Sequence, residues 1–139
     1  MESIATLREL VACLRIREAH HGSCIGADAL FHKIILESPG TARIVVHQPK
    51  DAKAQACCLP SANGLHPVEY LKPKEYLLRN KGIVDASDVL IAMPKESKEV
   101  LRSGTWATIR YARKQGKPII FIMPNVELPV SVGYWVETQ

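Results

Sequence analysis

Long apolar runs, paired cysteines and late basic residues are all scarce in this chain. No apolar run approaches the roughly 18 residues that a membrane-spanning helix needs, so no membrane partner is expected. The four cysteines, Cys13, Cys24, Cys57 and Cys58, have neither a disulfide-framework nor a zinc spacing, and the adjacent pair is not a CxxC. Reduced thiols are the expectation, and with no cleavable N-terminal signal visible the expected location is the cytoplasm. HExxH and HxH patterns are lacking, and neither a metal nor a cofactor is expected. Internal repeats and low-complexity segments are lacking too.

At 139 residues, the length fits a single domain able to bury one sheet with helices on both faces. The formal charge is +4, but it is unevenly placed. From Lys72 to Lys117 there are eleven basic and five acidic residues, a net of +6, whereas the last 22 residues hold no Lys or Arg. A basic centre suits an anionic partner such as a nucleotide or a nucleic acid, while a solvated helix face explains Arg110, Arg113 and Lys114 equally well.

Apolar periodicity gives the order of elements. Residues 3–18 read as an amphipathic helix, Glu18–His21 as a short strand, 27–37 as a helix and Arg43–His47 as a buried strand. Residues 48–72 show no sustained period and read as a long loop, functional or mobile. Pro73 opens a helix that runs to Val84. Two unbroken apolar runs, Asp88–Pro94 and Lys117–Pro124, then flank a helical segment, giving a strand, helix, strand crossover. In the tail, residues 125–139, Val130, Val132, Tyr134 and Val136 alternate as in one further, half-buried strand. The whole predicts an α/β fold: a three-layer, Rossmann-like, doubly wound and mostly parallel sheet.

The central helix carries the most chemistry. Ser103 is a good N-cap, Gly104 lets a ligand approach the backbone, and helix N-termini attract anions. Ligands of open α/β sheets lie beyond the carboxyl ends of the strands, which puts Pro94, Lys95, Arg102, Ser103, Gly104 and Thr105 on one rim. Ser-Gly-Thr serving only as a helix cap is the plain alternative. Glu96, in the charged loop after the strand, is the best-placed carboxylate on that rim. Asp28, in the first turn of its helix, is read as tying down the preceding turn, with ligand contact as the alternative. His21, Asp28, His32 and His47 are placed where three or four of them would meet at a strand edge, although strand-end histidines such as His47 also contact phosphates or fill space. Trp106 and Tyr111 read as helix-to-sheet or dimer packing, with base stacking as the alternative.

Three motifs in this order resemble a known family. Gly22-Ser-Cys-Ile-Gly-Ala-Asp28, then Arg79-Asn80 seven residues ahead of Ser87-Asp88, then the segment from Arg102 to Gly116, are similar to the Rossmann-like SLOG superfamily. That superfamily joins the DNA-processing A (DprA/Smf) proteins to the LOG phosphoribohydrolases, and the likeness covers roughly residues 4–124. It is nearest to short, single-domain phage or bacterial members of unassigned function. It implies a ligand site built from Gly22, Ser23, Asp28, His47, Arg79, Asn80 and the rim residues. Family members begin with a strand and a glycine-rich turn that this sequence lacks, so an N-terminally shortened sheet is expected. The tail or a neighbouring subunit would then fill the central slot, and a homo-oligomer follows, because open inner edges are unfavourable. In the LOG enzymes a Glu four residues after the helix glycine assists base loss. Thr108 stands there in this chain, whereas Arg79 matches the enzyme arginine. Catalysis, if present, would fall to Arg79 and Glu96.

Three functions are therefore expected, in descending order. The first is non-catalytic binding of a nucleotide or related phosphorylated small molecule. The second is N-glycosidic hydrolysis of nucleotides, and the third is single-stranded DNA binding.

Overall fold

A computed structural model describes residues 2–51, 53, 55–56, 58–124 and 134–139. The chain is mixed α/β, with two small, mostly parallel sheets and four helices among the described residues. It divides into two compact units, Arg8–Ile83 and Met1–Leu7 with Val84–Gln139.

The chain starts with helix α1 (Glu2–Cys13), shorter than the 3–18 expected, and its residues Leu7, Leu10 and Val11 are buried. In the 8–83 unit, β1 (Glu18–His21), β2 (Arg43–Val46) and β3 (Val68–Tyr70) form a parallel sheet with β2 in the middle. Registers run Glu18 to Arg43 and Ile44 to Val68. Helix α2 (Ala27–Glu37) connects β1 to β2 and buries Ile34 and Ile35, the side of its apolar stripe that faces inward. Strand β3 falls inside the stretch read as a loop. Three residues are too few for a period to be visible, and the strand exists because β2 offers its second edge. Helix α3 (Tyr76–Asp85) starts three residues after Pro73.

In the other unit, β4 (Leu90–Ala92) and β5 (Ile119–Phe121) pair in parallel and β6 (Trp135–Glu137) pairs antiparallel with β5. Helix α4 (Gly104–Lys114) is the crossover between β4 and β5. Its inward face, Trp106, Ile109 and Ala112, joins Val84, Ala92, Ile119, Phe121 and Met123 in one apolar cluster. Trp106 and Tyr111 therefore take the packing role, with the Trp106 and Phe121 ring centroids 6.3 Å apart. Tyr111 keeps its hydroxyl at the surface, where it donates to Asp85 at 2.7 Å. The only described part of the expected tail strand is its end, because residues 125–133, including Val130 and Val132, lie outside the described residues. That end sits on the outer edge beyond β5, so β6 does not stand beside β4 in the place of a first strand.

Candidate functional site

The residues expected at one ligand site fall into two groups, one in each unit. In the 8–83 unit, a short turn connects the end of β1 to the start of α2. Ser23 takes a positive φ of 58°, and Gly26 precedes α2 at φ 104°, a conformation that side chains with a Cβ resist. Gly26 provides no side-chain cap, and Asp28 in the first turn reaches back instead. One carboxylate oxygen accepts from the N–H groups of Gly22 and Cys24, each at 3.1 Å. Burial raises the Asp28 pKa, against the opposing pull of those hydrogen bonds and of Arg79.

Arg79 closes the same turn from α3. It is 2% exposed, and its guanidinium donates to the Gly22 carbonyl, to the His47 carbonyl at 3.4 Å and to Asn80 Oδ1 at 2.8 Å. It also lies over the Tyr76 ring, 4.9 Å from the centroid. Gly22 is squeezed between these two charged groups. A Cβ there would meet Arg79 Nη1 at 2.5 Å and the Asp28 carboxylate at 3.1 Å, so this position admits only glycine without movement. Gly22, Asp28, His47, Arg79 and Asn80 are thus brought together as the sequence implies, with the arginine turned onto backbone carbonyls. A small hollow of about 10 Å³ lies beside Arg79 and His47 and is bordered by Lys72 and Lys74. That is room for about one water, far below the roughly 300 Å³ at which small-molecule pockets begin.

The histidines pair rather than meet at one point. His20 Nδ1 and His47 Nε2 are 2.8 Å apart, and so are His21 Nε2 and His32 Nδ1. The tautomers of the second pair follow from its neighbours. Ser23 N–H donates to His21 Nδ1, so the His21 proton sits on Nε2 and is offered to His32 Nδ1, and His32 Nε2–H donates to the Leu59 carbonyl at 2.7 Å. Burial first, and then the neighbouring His32, lowers the His21 pKa to about 3. Burial and His20 lower that of His47 to about 4. Both rings are therefore neutral at pH 7. Of the residues expected to meet at a strand edge, the seating of α2 on β1 brings His21 and His32 together, while His47 pairs with His20.

In the other unit, the rim residues occupy the segment from the carboxyl end of β4 to the first turn of α4. Pro94 is buried, and Lys95, Arg102 and Thr105 are exposed. Ser103 is extended (φ −77°, ψ 129°), and its hydroxyl accepts from Trp106 N–H, the expected N-cap. The first helical bond runs from Ala107 N–H to the Ser103 carbonyl. Gly104 and Thr105 precede it, and helix geometry gives their N–H groups no intrahelical acceptor. Thr108 donates its hydroxyl to the Gly104 carbonyl at 2.9 Å and so serves the helix backbone. Glu96 has a buried carboxylate oxygen, Oε2, with no hydrogen-bond partner among the described residues. Such a group carries a desolvation cost that a ligand donor would relieve. Comparison of the chain with protein-family models, with curated proteins and with solved structures finds no match.

Proposed function

We propose that the chain binds a nucleotide or a nucleotide-derived phosphorylated small molecule, with its phosphate on the N-terminus of α4. The observation that carries this reading is the helix start itself. Ser103 caps Trp106, the amides of Gly104 and Thr105 precede the first helical bond, and two exposed cations, Lys95 and Arg102, occupy the segment leading into it. N–H groups without an intrahelical acceptor and the helix dipole together favour an anion, and a side-chain-free Gly104 lets it approach. Arg79, with its donors turned to backbone carbonyls, acts in this proposal by holding the Gly22 turn rather than by neutralising phosphate. The reading includes the finer fold, a Rossmann-like domain of SLOG type, and a cytoplasmic homo-oligomer.

Calorimetric titration with a panel of nucleoside mono-, di- and triphosphates tests it. The wild-type chain is expected to bind at least one, and Gly104→Asp, whose carboxylate suits a helix start, is expected to abolish binding while leaving the melting temperature unchanged. Equal affinity in the variant would remove this site.

A second reading, hydrolysis of the N-glycosidic bond, is favoured by the partnerless oxygen of Glu96. It requires release of free base from a nucleoside monophosphate, lost in Glu96→Gln. No release from any of the common nucleotides would end it.

A further inference from the structure

The pair His21 and His32 has a third neighbour. Cys58 Sγ, His21 and His32 each present a ligand-type atom, and these atoms all lie within 4.8 Å of one another. His21 comes from the end of β1 and is 2% exposed, and His32 comes from α2 and is 4% exposed. Cys58 belongs to a connecting segment that is not free to wander. Ala56 N–H donates to the Ser23 carbonyl at 2.7 Å, Ser23 Oγ donates to the Ala56 carbonyl at 3.3 Å, and Tyr70 donates to the Cys58 carbonyl at 2.7 Å. With His32 holding the Leu59 carbonyl, the chain is fastened on both sides of the cysteine. Cys58 is in no disulfide.

We propose that His21, His32 and Cys58 form a binding site for a soft or borderline transition-metal ion of the zinc class. Two imidazoles and a thiolate are the donors such ions select, and three protein donors leave a fourth tetrahedral position for water or an exogenous ligand. Two nitrogens and a sulfur are a poor match for hard, oxygen-seeking ions. Both rings are ready as ligands. His32 Nε2–H already donates to a carbonyl, which fixes the tautomer that frees Nδ1 for a metal. The two facing nitrogens, 2.8 Å apart, share one proton, that of His21 Nε2. A tetrahedral ion with metal–nitrogen bonds of about 2.0–2.1 Å needs them about 3.3 Å apart, so the rings must part by about half an ångström. Binding at His21 Nε2 also moves that proton to Nδ1, where the Ser23 N–H now donates, so this contact is given up along with the hydrogen bond between the two rings. The Cys58 thiol loses its proton as it becomes a ligand.

Cobalt(II) is the probe, because its thiolate complexes absorb in the near ultraviolet and its four-coordinate complexes absorb strongly in the visible. Titration of the full chain at neutral pH, under reducing conditions, is expected to give both bands with saturation at one equivalent, and zinc(II) to bleach them. Cys58→Ser should retain the wild-type circular dichroism and lose the near-ultraviolet band, with affinity down at least about tenfold. His47→Gln, in the other histidine pair, should leave both bands in place. Absence of a thiolate band in the wild-type chain, or its survival in Cys58→Ser, would overturn the proposal. Uptake that is equal in all three proteins would do the same.

Discussion

The two units solve the problem of a small interior in different ways. Among the described residues, the six buried polar or charged ones, His21, Ser23, His32, His47, His66 and Arg79, all belong to the 8–83 unit. The other unit buries an apolar cluster around Trp106 and Phe121, with the Arg113 to Glu137 pair a third exposed and Glu96 Oε2 a buried carboxylate oxygen without a hydrogen-bond partner among the described residues. Buried polar groups must each find a partner, and in the 8–83 unit most of those partners are backbone carbonyls and other histidines. His66, for one, places its two ring nitrogens 2.9 Å from the carbonyls of Ala42 and Ser38. A polar interior is thus fixed by geometry and is sensitive to single substitutions and to protons. An apolar interior tolerates more and leaves its chemistry to the helix end it supports.

Substitutions sharpen this contrast. The largest effect is expected for Arg79→Met, which leaves the Gly22 and His47 carbonyls and Asn80 Oδ1 without their donor. A loss of about 3 kcal/mol or more is expected in urea unfolding. A variant within about 0.5 kcal/mol of wild type would show that the turn does not depend on the arginine.

Acid comes next. The folded-state pKa values of His21 and His47 are depressed from 6.5 to about 3 and about 4. Unfolding below pH 6.5 therefore takes up protons. The stability these neutral rings represent is complete above about pH 6.5, falls as the pH drops through 4, and is gone below about 3. The urea midpoint is expected to decline steadily between pH 6.5 and 4, and less so in His21→Gln. A flat profile in the wild-type chain would contradict the buried neutral pair.

Gly22→Ala should cost about 1–3 kcal/mol, because its Cβ meets a guanidinium that hydrogen bonds hold in place. In an Arg79→Met background the cost should shrink, and strict additivity of the two would show that they do not touch. Ser103→Ala removes the cap of α4 and should cost about 1 kcal/mol, read from the thermal midpoint. The smallest effect is expected for Arg113→Ala. Its paired hydrogen bonds to Glu137, at 2.8 and 2.9 Å, raise the arginine pKa and lower that of the glutamate, but the pair is a third exposed. A loss under about 1 kcal/mol is expected, and a larger one would move Arg113 to the interior side of the comparison.

These cases also separate what the sequence reveals from what it hides. Helix α4 is legible because its signals are local: a serine cap, cations in the last turn and a glycine, Gly116, at φ 72° just past the end. The double hydrogen bond from Asp28 to the preceding turn is legible for the same reason, since both partners lie within six residues. Arg79 is different. Its charge points to an anion, but its partners are carbonyls 57 and 32 residues away, and carbonyls leave no mark in a sequence. The histidine pairs are legible only as a gathering at a strand edge, because which rings meet is decided when β1 docks on β2 and on α2. Strand β3 escapes notice because three residues carry too little periodicity, and its pairing with β2 is what makes it a strand.

The most direct measurement is a nitrogen-edited NMR titration of the full chain with a bound-panel nucleotide and, separately, with inorganic phosphate. The amides of Gly104 and Thr105 are expected to shift first and furthest with both, with the same pattern lost in Gly104→Asp. Nucleotide shifts confined to the Gly22 turn, or no shift at the start of α4, would contradict a phosphate site at that helix end.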